Sequence, residues 1–405
     1  MKKMIFACPW NNDTNINDKT QSWSGTHWAL FQSLKKYYDL YDFDTGFNHN
    51  KHTIVKLYWY AIRILRKFHL WNDDMGRGRR KLMNALAKKI PSDNAPIFQF
   101  EESPIIEGHK NYIYQDLSAI TVNHIRKENP ELFKICGFQR TNTEALERRE
   151  KEQSEFYQQA SGIFTMGKWL ADYLVKNCNI PAEKVHAVGG GSNMDFSLMQ
   201  ETAKTNSKIL FVGRDFERKN GPLVLEAFEM LKKQMPDAEL YIAGPDNLEI
   251  SAGGVYLLGN LPYNQLAHYF NICDIFCMPS KFEAYGLVFI EALAYGLPCI
   301  GRNAYEMPYF IEDKKTGYLL NEESPEALAK LMYDLLLNDE IKNNVRKKRD
   351  WYINEYSWDS VAQRINSVIG NEGISNLAKK RETELADRPD NRNDQKALDE
   401  YFWGE

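Results

Sequence analysis

The chain has 405 residues, 43% hydrophobic and 26% charged, which excludes a disordered protein and favours two domains over one. A net charge of −4 argues against a general nucleic-acid binder. No apolar run approaches the roughly 18 residues that mark a membrane-spanning helix, and the N-terminus lacks the apolar core of a signal peptide. The six cysteines (Cys8, Cys136, Cys178, Cys273, Cys277 and Cys299) are scattered, mostly within apolar runs, which suits reduced thiols in a cytoplasmic protein. Cys273 and Cys277 have no matching His/Cys partners, so no metal site is expected.

Residues 2–8 read as a first strand, followed by a polar, Asn/Asp-rich loop. Ser22-Trp-Ser-Gly-Thr-His27 then leads into an amphipathic helix expected over Trp28–Tyr38. Gly25 would let the backbone approach a ligand at the start of that helix; a plain turn with Thr26 as N-cap fits equally. Residues 51–90 carry eleven lysines and arginines against Asp73 and Asp74, interleaved with Tyr58, Trp59, Tyr60, Phe68 and Trp71. That pattern suits peripheral membrane contact, and it equally suits an ordinary helix with a solvated basic face.

Strands are expected at 96–101 and 111–115, with Asp116 at the C-terminal edge of the second. That edge is where α/β sheets place ligand groups, although Asp116 also fits as a cap for a helix over 119–127. His109 and His124 read as structural. A charged helix over 143–160, a strand at Gly162–Thr165, a helix over 167–177 and a strand at 185–188 follow. Gly189-Gly-Gly191 breaks the pattern, and 192–207, rich in Ser, Thr, Asn and Gln, reads as a linker.

A second sheet begins at Lys208–Val212, directly before Gly213-Arg-Asp-Phe-Glu-Arg-Lys-Asn-Gly221 and a helix to about Gln234. Arg214 and Lys219 on that loop, just before a helix N-terminus, could neutralise a diphosphate as a fixed electrostatic clamp. Strands at 239–243 and 255–258 follow, then a short turn and a small helix. Cys273–Met278 is a buried strand, and a helix opens near Gly286 and stops at Gly296, with Pro298 beyond. Glu283 in the loop and Glu291, about two turns into the helix, would lie about 12 Å apart if both were helical. Carboxylates that share one bond sit about 5–9.5 Å apart, so these two more naturally hold different parts of an elongated ligand such as a nucleotide carrying a sugar. A strand at 299–301, a turn at 317–320, helices at 325–337 and 339–355, and a last helix over about 356–370 complete the pattern. A charged tail, 371–405, follows.

Glu-x7-Glu before Ala-x3-Gly-x-Pro, together with Gly213-Arg-x4-Lys219, resembles the signature of retaining GT-B glycosyltransferases, particularly glycosyltransferase family 4. The likeness is strong over about 160–320 and weak over 30–140. It implies an α/β GT-B fold of two Rossmann-like domains facing across a cleft. These would be an acceptor-side domain over 1–195, to which the last helix returns, and a donor-binding domain over 205–355. The implied reaction moves a sugar from a UDP- or GDP-sugar to a glycan, lipid-linked or cell-envelope acceptor with retention, without cofactor or metal, in the cytoplasm or at the inner face of a membrane.

Carried over residue by residue, the resemblance places Glu283 by the donor sugar and Glu291 on the ribose. Arg214, Lys219 and the helix N-terminus at Gly286 and Leu287 would hold the diphosphate. Gly25 would lie against the donor phosphate and Asp116 by the acceptor. Gly244 would open the base-binding loop, and backbone near Leu261 would read the base. Ser-Gly-Thr at 24–26 departs from the family's usual Gly-Gly, and Asn220 stands where many relatives have Gly. Two other readings remain open: a non-catalytic nucleotide-binding or partner subunit of a glycosyltransferase, and a sugar-nucleotide epimerase of GT-B fold. No Gly-x-Gly-x-x-Gly, Walker-type loop or Asp-x-Asp occurs, which disfavours dehydrogenase, P-loop and metal-dependent GT-A readings.

Overall fold

The computed structural model describes residues 1–10, 19–45, 94–100, 105–136, 143–202, 205–246, 248–250 and 252–370. The basic aromatic stretch 51–90 and the tail 371–405 lie outside the described residues. The chain divides into two compact units, one of 1–166, 170–189 and 361–405, the other of 167–169 and 190–360. Among the described residues each unit is built on a six-stranded sheet in which every pairing is parallel. Such sheets are covered on both faces, and their strands accordingly read as continuous apolar runs.

In the first unit the order is β2-β1-β3-β4-β5-β6. The strands are β1 (Lys2–Cys8), β2 (Tyr38–Asp44), β3 (Ile97–Gln99), β4 (Asn111–Gln115), β5 (Gly162–Thr165) and β6 (Val185–Ala187). The helices are α1 (Thr26–Leu34), α2 (Ala119–Glu128), α3 (Pro130–Ile135), α4 (Thr143–Gln159) and α5 (Lys168–Asn177). The helix expected to run to Tyr38 stops at Leu34, and Tyr38 instead opens β2. Tyr38–Asp44 lies along the edge of β1 and pairs with it from Lys2↔Tyr38 to Cys8↔Asp44, and that pairing decides the element.

Two caps also differ from expectation. Gly25, at φ 91°, is the N-cap of α1 rather than Thr26. Trp23 (φ 48°) and Ser24 (φ 54°) precede it, so three successive residues are left-handed. Asp116 does not cap α2: Ser118 does, its Oγ accepting the Thr121 N–H at 3.0 Å.

The second unit has the order β12-β11-β10-β7-β8-β9. Its strands are β7 (Lys208–Val212), β8 (Glu239–Ala243), β9 (Val255–Gly259), β10 (Ile275–Cys277), β11 (Cys299–Arg302) and β12 (Gly317–Leu320). Its helices are α6 (Gly221–Gln234), α7 (Tyr263–Ile272), α8 (Leu287–Ala294), α9 (Met307–Phe310), α10 (Pro325–Leu337), α11 (Asp339–Lys347) and α12 (Arg349–Glu355). The chain builds outward from β7 to β9, then returns to β7's other side with β10. β7 and β10 are therefore a topological switch point, the place in an open α/β sheet where ligands bind beyond the C-terminal strand ends.

The described residues of 192–207 fold into this unit rather than forming a free linker. The Asn271 side chain accepts the Gln200 N–H and donates to the Leu198 carbonyl, both at 2.9 Å. The helix expected over 339–355 is two helices, broken at Lys348. The last helix, α13 (Trp358–Ile369), joins the first unit from Val361 onward, where Arg364 Nε donates to the Val188 carbonyl at 2.7 Å. Among the described residues no helix is long and apolar enough to cross a membrane.

At the centre of the second core, Phe276 on β10 is fully buried and meets Phe289 of α8 edge to face, 5.2 Å between centroids. Phe276→Ala should remove about 3–5 kcal/mol of stability through lost transfer energy and a cavity. Urea unfolding followed by far-UV circular dichroism should show the second unit's transition moving to lower urea; an unmoved transition would refute this placement of the core.

Candidate functional site

The loop after β7 is built so that its cations are fixed. Gly213 has no room for a side chain, because a Cβ there would stand 2.7 Å from Lys219 Cγ. Gly221 is filled likewise by the Phe216 ring. Asn220 takes the left-handed conformation at φ 61° and caps α6. Its side-chain nitrogen donates to Glu323 at 2.9 Å, and that hydrogen bond helps hold a conformation more usual for glycine. Gly244, after β8, sits at φ +124° with a Cβ position 2.5 Å from the Gly213 carbonyl carbon, so the two loops touch backbone to backbone.

The cations fall into two environments. Arg214 is exposed, its Nε donating to Asn260 Oδ1 at 3.2 Å, while Asn260 is held in turn by its N–H on Asp246. Lys219 is only 11% exposed at its side chain and forms an ion pair and hydrogen bond with Glu283. Burial pushes the Lys219 ammonium below the ordinary lysine range, Glu283 pulls it back up, and the neighbouring Arg218 opposes Glu283. Arg218 pairs with Asp215 at 3.1 Å and stands 3.6 Å from Glu283.

The facing loop follows β10. Ser280 Oγ donates to Glu283 at 3.3 Å, and the Ser280 carbonyl accepts from Arg302 Nε at 3.0 Å. Arg302, at the end of β11, continues to Glu323 at 2.5 Å. Gly286 closes the loop at φ 91° and is the N-cap of α8, with no side chain capping it. Leu287 is the first helical residue, so a helix N-terminus opens beside Glu283 at the switch point. Glu283 itself precedes the helix, so the helical spacing does not apply to the glutamate pair. Glu291 is the fifth helical residue, just over one turn in rather than two.

Glu291 is 4% exposed. The Ser192 hydroxyl reaches its Oε1 at 3.5 Å, a long contact. Burial pushes its carboxyl up to about 7, while the Asn193 N–H and Ser192 hydroxyl pull the other way. Tyr263, 42% exposed at the start of α7, completes this end. Burial and Glu291 raise its phenol, whereas the Asn193 side chain and Arg214 lower it. Leu261 is half-buried on the loop just before α7.

The second unit therefore brings together Arg214, Lys219, Gly244, Leu261, Glu283, Gly286, Leu287 and Glu291. Gly25 and Asp116 belong to the first unit, and Asp116 is half-buried past the end of β4. Ser192, Asn193, Asn260 and Arg302 were not singled out from the sequence. The first two lay in the stretch read as a linker, and only an approach to Glu291 distinguishes them. Chemically, the crevice offers cations and a helix N-terminus for an anion, with two carboxylates able to accept hydrogen bonds from hydroxyls.

Residues 198–350 match the family described as glycosyl transferases group 1. The chain is 27% identical over 173 residues to an uncharacterized glycosyltransferase of Haemophilus influenzae, covering 40% of this chain and 49% of that protein. It is 25% identical over 216 residues to the D-inositol 3-phosphate glycosyltransferase of Jonesia denitrificans, covering 46% and 51%. The chain thus spans about half the length of these curated relatives. Sucrose-phosphate synthase of Thermosynechococcus elongatus shares the fold over 91% of this chain and 99% of its own, with TM-score 0.63 and 14% identity. The fold is the α/β GT-B fold.

The second unit should carry a pH signature from Glu291. Its carboxyl binds a proton more tightly folded, at about 7, than unfolded, near 4.5. Stability held below pH 4.5 is therefore lost as pH rises to 7, by on the order of 3 kcal/mol. Glu291→Gln, a neutral isostere, should match wild type near pH 4.5 and exceed it increasingly up to pH 7.5 in urea unfolding. A constant difference across that range would overturn the assignment.

Proposed function

We propose that the chain is a retaining glycosyltransferase of family 4 type, moving a sugar from a nucleoside-diphosphate sugar to a hydroxyl acceptor. The observation that carries this reading is the convergence of Arg214, Lys219 and the uncapped N-terminus of α8 with Glu283 and Glu291 at the β7/β10 switch point. An anion with hydroxyl-bearing groups on both sides is the ligand that such an array suits. The diphosphate sits between Arg214, Lys219 and the N-terminus at Gly286 and Leu287. Glu291 accepts from the ribose hydroxyls, Glu283 faces the donor sugar, and backbone at Gly244 and Leu261 borders the base.

In the reaction the bond from the sugar's anomeric carbon to the diphosphate oxygen breaks, and its electron pair leaves with the diphosphate. Lys219 and Arg214 offset the charge that develops, so this reading requires no metal. The acceptor oxygen bonds to the anomeric carbon from the face the diphosphate leaves, which retains configuration, and its proton passes to the departing phosphate oxygen. Glu283 stabilises the positive charge on the sugar ring. Gly25 at the donor phosphate and Asp116 at the acceptor rest on the family resemblance alone. So do a UDP- or GDP-sugar as donor and a glycan, lipid-linked or cell-envelope acceptor. Peripheral membrane contact through 51–90 rests on sequence pattern. An epimerase would require no second substrate, and a non-catalytic subunit would have little use for the buried Lys219–Glu283 pair.

Thermal-shift screening of the full chain with UDP, GDP, ADP and CMP, without metal, tests the donor site. A ligand at about 100 times its Kd should add about 2.7 kcal/mol of stability. One nucleoside diphosphate should shift the melting temperature clearly; no shift with any would overturn the donor assignment. Lys219→Ala should lower the transfer rate on the matching sugar nucleotide by about 10²–10³-fold, the loss typical of one fixed charge-stabilising donor. Unchanged turnover would sink the clamp.

A further inference from the structure

Resting on the reading that Glu283 faces the donor sugar, we propose that Arg218 and Trp169 are positioning residues that fix Glu283 by holding the backbone carbonyls on either side of it. Residues 279–286 form no helix or strand, so ladder hydrogen bonds do not set where Glu283 lies. The two flanking carbonyls are held instead by side chains far away in sequence. Arg218 Nη1 donates to the Phe282 carbonyl at 2.8 Å, and Trp169 Nε1 donates to the Ala284 carbonyl at 2.6 Å. Both belong to the second unit.

Each of these donors is itself braced. Arg218 Nε donates to Asp215 Oδ2 at 3.1 Å, and its own carbonyl accepts the Lys281 N–H at 2.9 Å, so the β7 and β10 loops are joined twice through one residue. The Trp169 N–H donates to buried Glu306 at 3.1 Å, and its ring meets Tyr305 edge to face at 5.3 Å. Gly167, two residues earlier, has no room for a Cβ, which would stand 2.7 Å from Glu306 Oε2. With Lys219 and Ser280 on its carboxylate, Glu283 is restrained at its side chain and at the carbonyls of both neighbouring residues.

The distances separate positioning from bare charge. Arg218 Nη1 lies 3.6 Å from the Glu283 carboxylate, too far for a hydrogen bond, but 2.8 Å from the Phe282 carbonyl. The guanidinium's planar fork reaches Asp215 with one nitrogen and that carbonyl with another, which a lysine ammonium would not reproduce. A displacement of about 1 Å at a reacting group can cost about 10²-fold in rate, so holding this loop bears directly on turnover.

The test compares full-length wild type, Trp169→Phe, Arg218→Gln and Arg218→Lys. Trp169→Phe removes the indole N–H while keeping an aromatic ring against Tyr305. With saturating UDP or GDP, whichever stabilises the chain, amide hydrogen exchange over 282–286 should quicken at least tenfold in Trp169→Phe and Arg218→Gln, while α6 amides stay unchanged. On the sugar nucleotide in use, kcat should fall about tenfold, with the nucleoside-diphosphate Kd changed less than twofold. Arg218→Lys should stay impaired despite its charge. Unchanged exchange at 282–286, an equal rise throughout the unit, or an Arg218→Lys indistinguishable from wild type would each overturn the proposal. Failure of the function reading looks different: Glu283→Gln would then turn over normally while the exchange effects persist.

Discussion

Two charges of opposite sign, Lys219 and Glu283, are withdrawn from water together, each with little more than a tenth of its side chain exposed. Neither could be buried alone, since an uncompensated ion in such a place costs several kcal/mol. The pair is possible only because the sheet brings two loops, 64 residues apart in sequence, to the same crevice. That follows from strand order: the chain leaves β7 in one direction and returns on its other side at β10, so the loops after these strands face one another. Several glycines with no room for a side chain, Gly213 and Gly244 among them, serve the same end by letting loop backbone close around the pair.

Around this contact the charges alternate. Asp215 meets Arg218, Arg218 and Lys219 meet Glu283, and Ser280 links Glu283 to Arg302, which meets Glu323 and through it Asn220. Exposed pairs contribute little to stability. The half-buried members fix side-chain direction instead, which a site needs before its ligand arrives. Arg214 stands apart, exposed and hydrogen-bonded to Asn260, so it can meet a ligand without first leaving a carboxylate. On the glycosyltransferase reading, Lys219 must shift from Glu283 toward phosphate as the donor enters, while Arg214 need only turn.

Much of this was legible in the sequence. Strands such as Gly162–Thr165 and Lys208–Val212 are apolar runs between breakers, and parallel sheets demand such runs, whereas Gly317–Leu320, expected as a turn, is a strand paired with β11. The loop cations and both glutamates could be named because their spacing places them at strand ends and helix starts. What escaped were features decided by partners distant in sequence. Tyr38 became a strand because β1 offered an edge, although aromatic and charged residues continued a helical pattern there. Ser192 and Asn193 looked like linker polarity until the fold brought Glu291 against them. Asp116 lost its expected capping role to Ser118, two residues on and better placed for the Thr121 N–H.

The two glutamates of the Glu-x7-Glu signature show why spacing alone could not assign roles. Glu283 sits before the helix with two cations and a hydroxyl beside it. Glu291 sits within the helix with no cation among the groups that set its proton affinity, and burial pushes it up to about 7. One lies between fixed cations, placed to answer positive charge developing on a sugar. The other is poised between forms, and hydroxyl donors arriving from a ligand would stabilise its anion and draw off its proton. On the proposed reading this is a division of labour: Glu283 acts on the reacting end, and Glu291 couples binding of the ribose end to proton release below neutral pH. The same residue type does both, because one position faces fixed cations and the other is buried against Ser192 and Asn193.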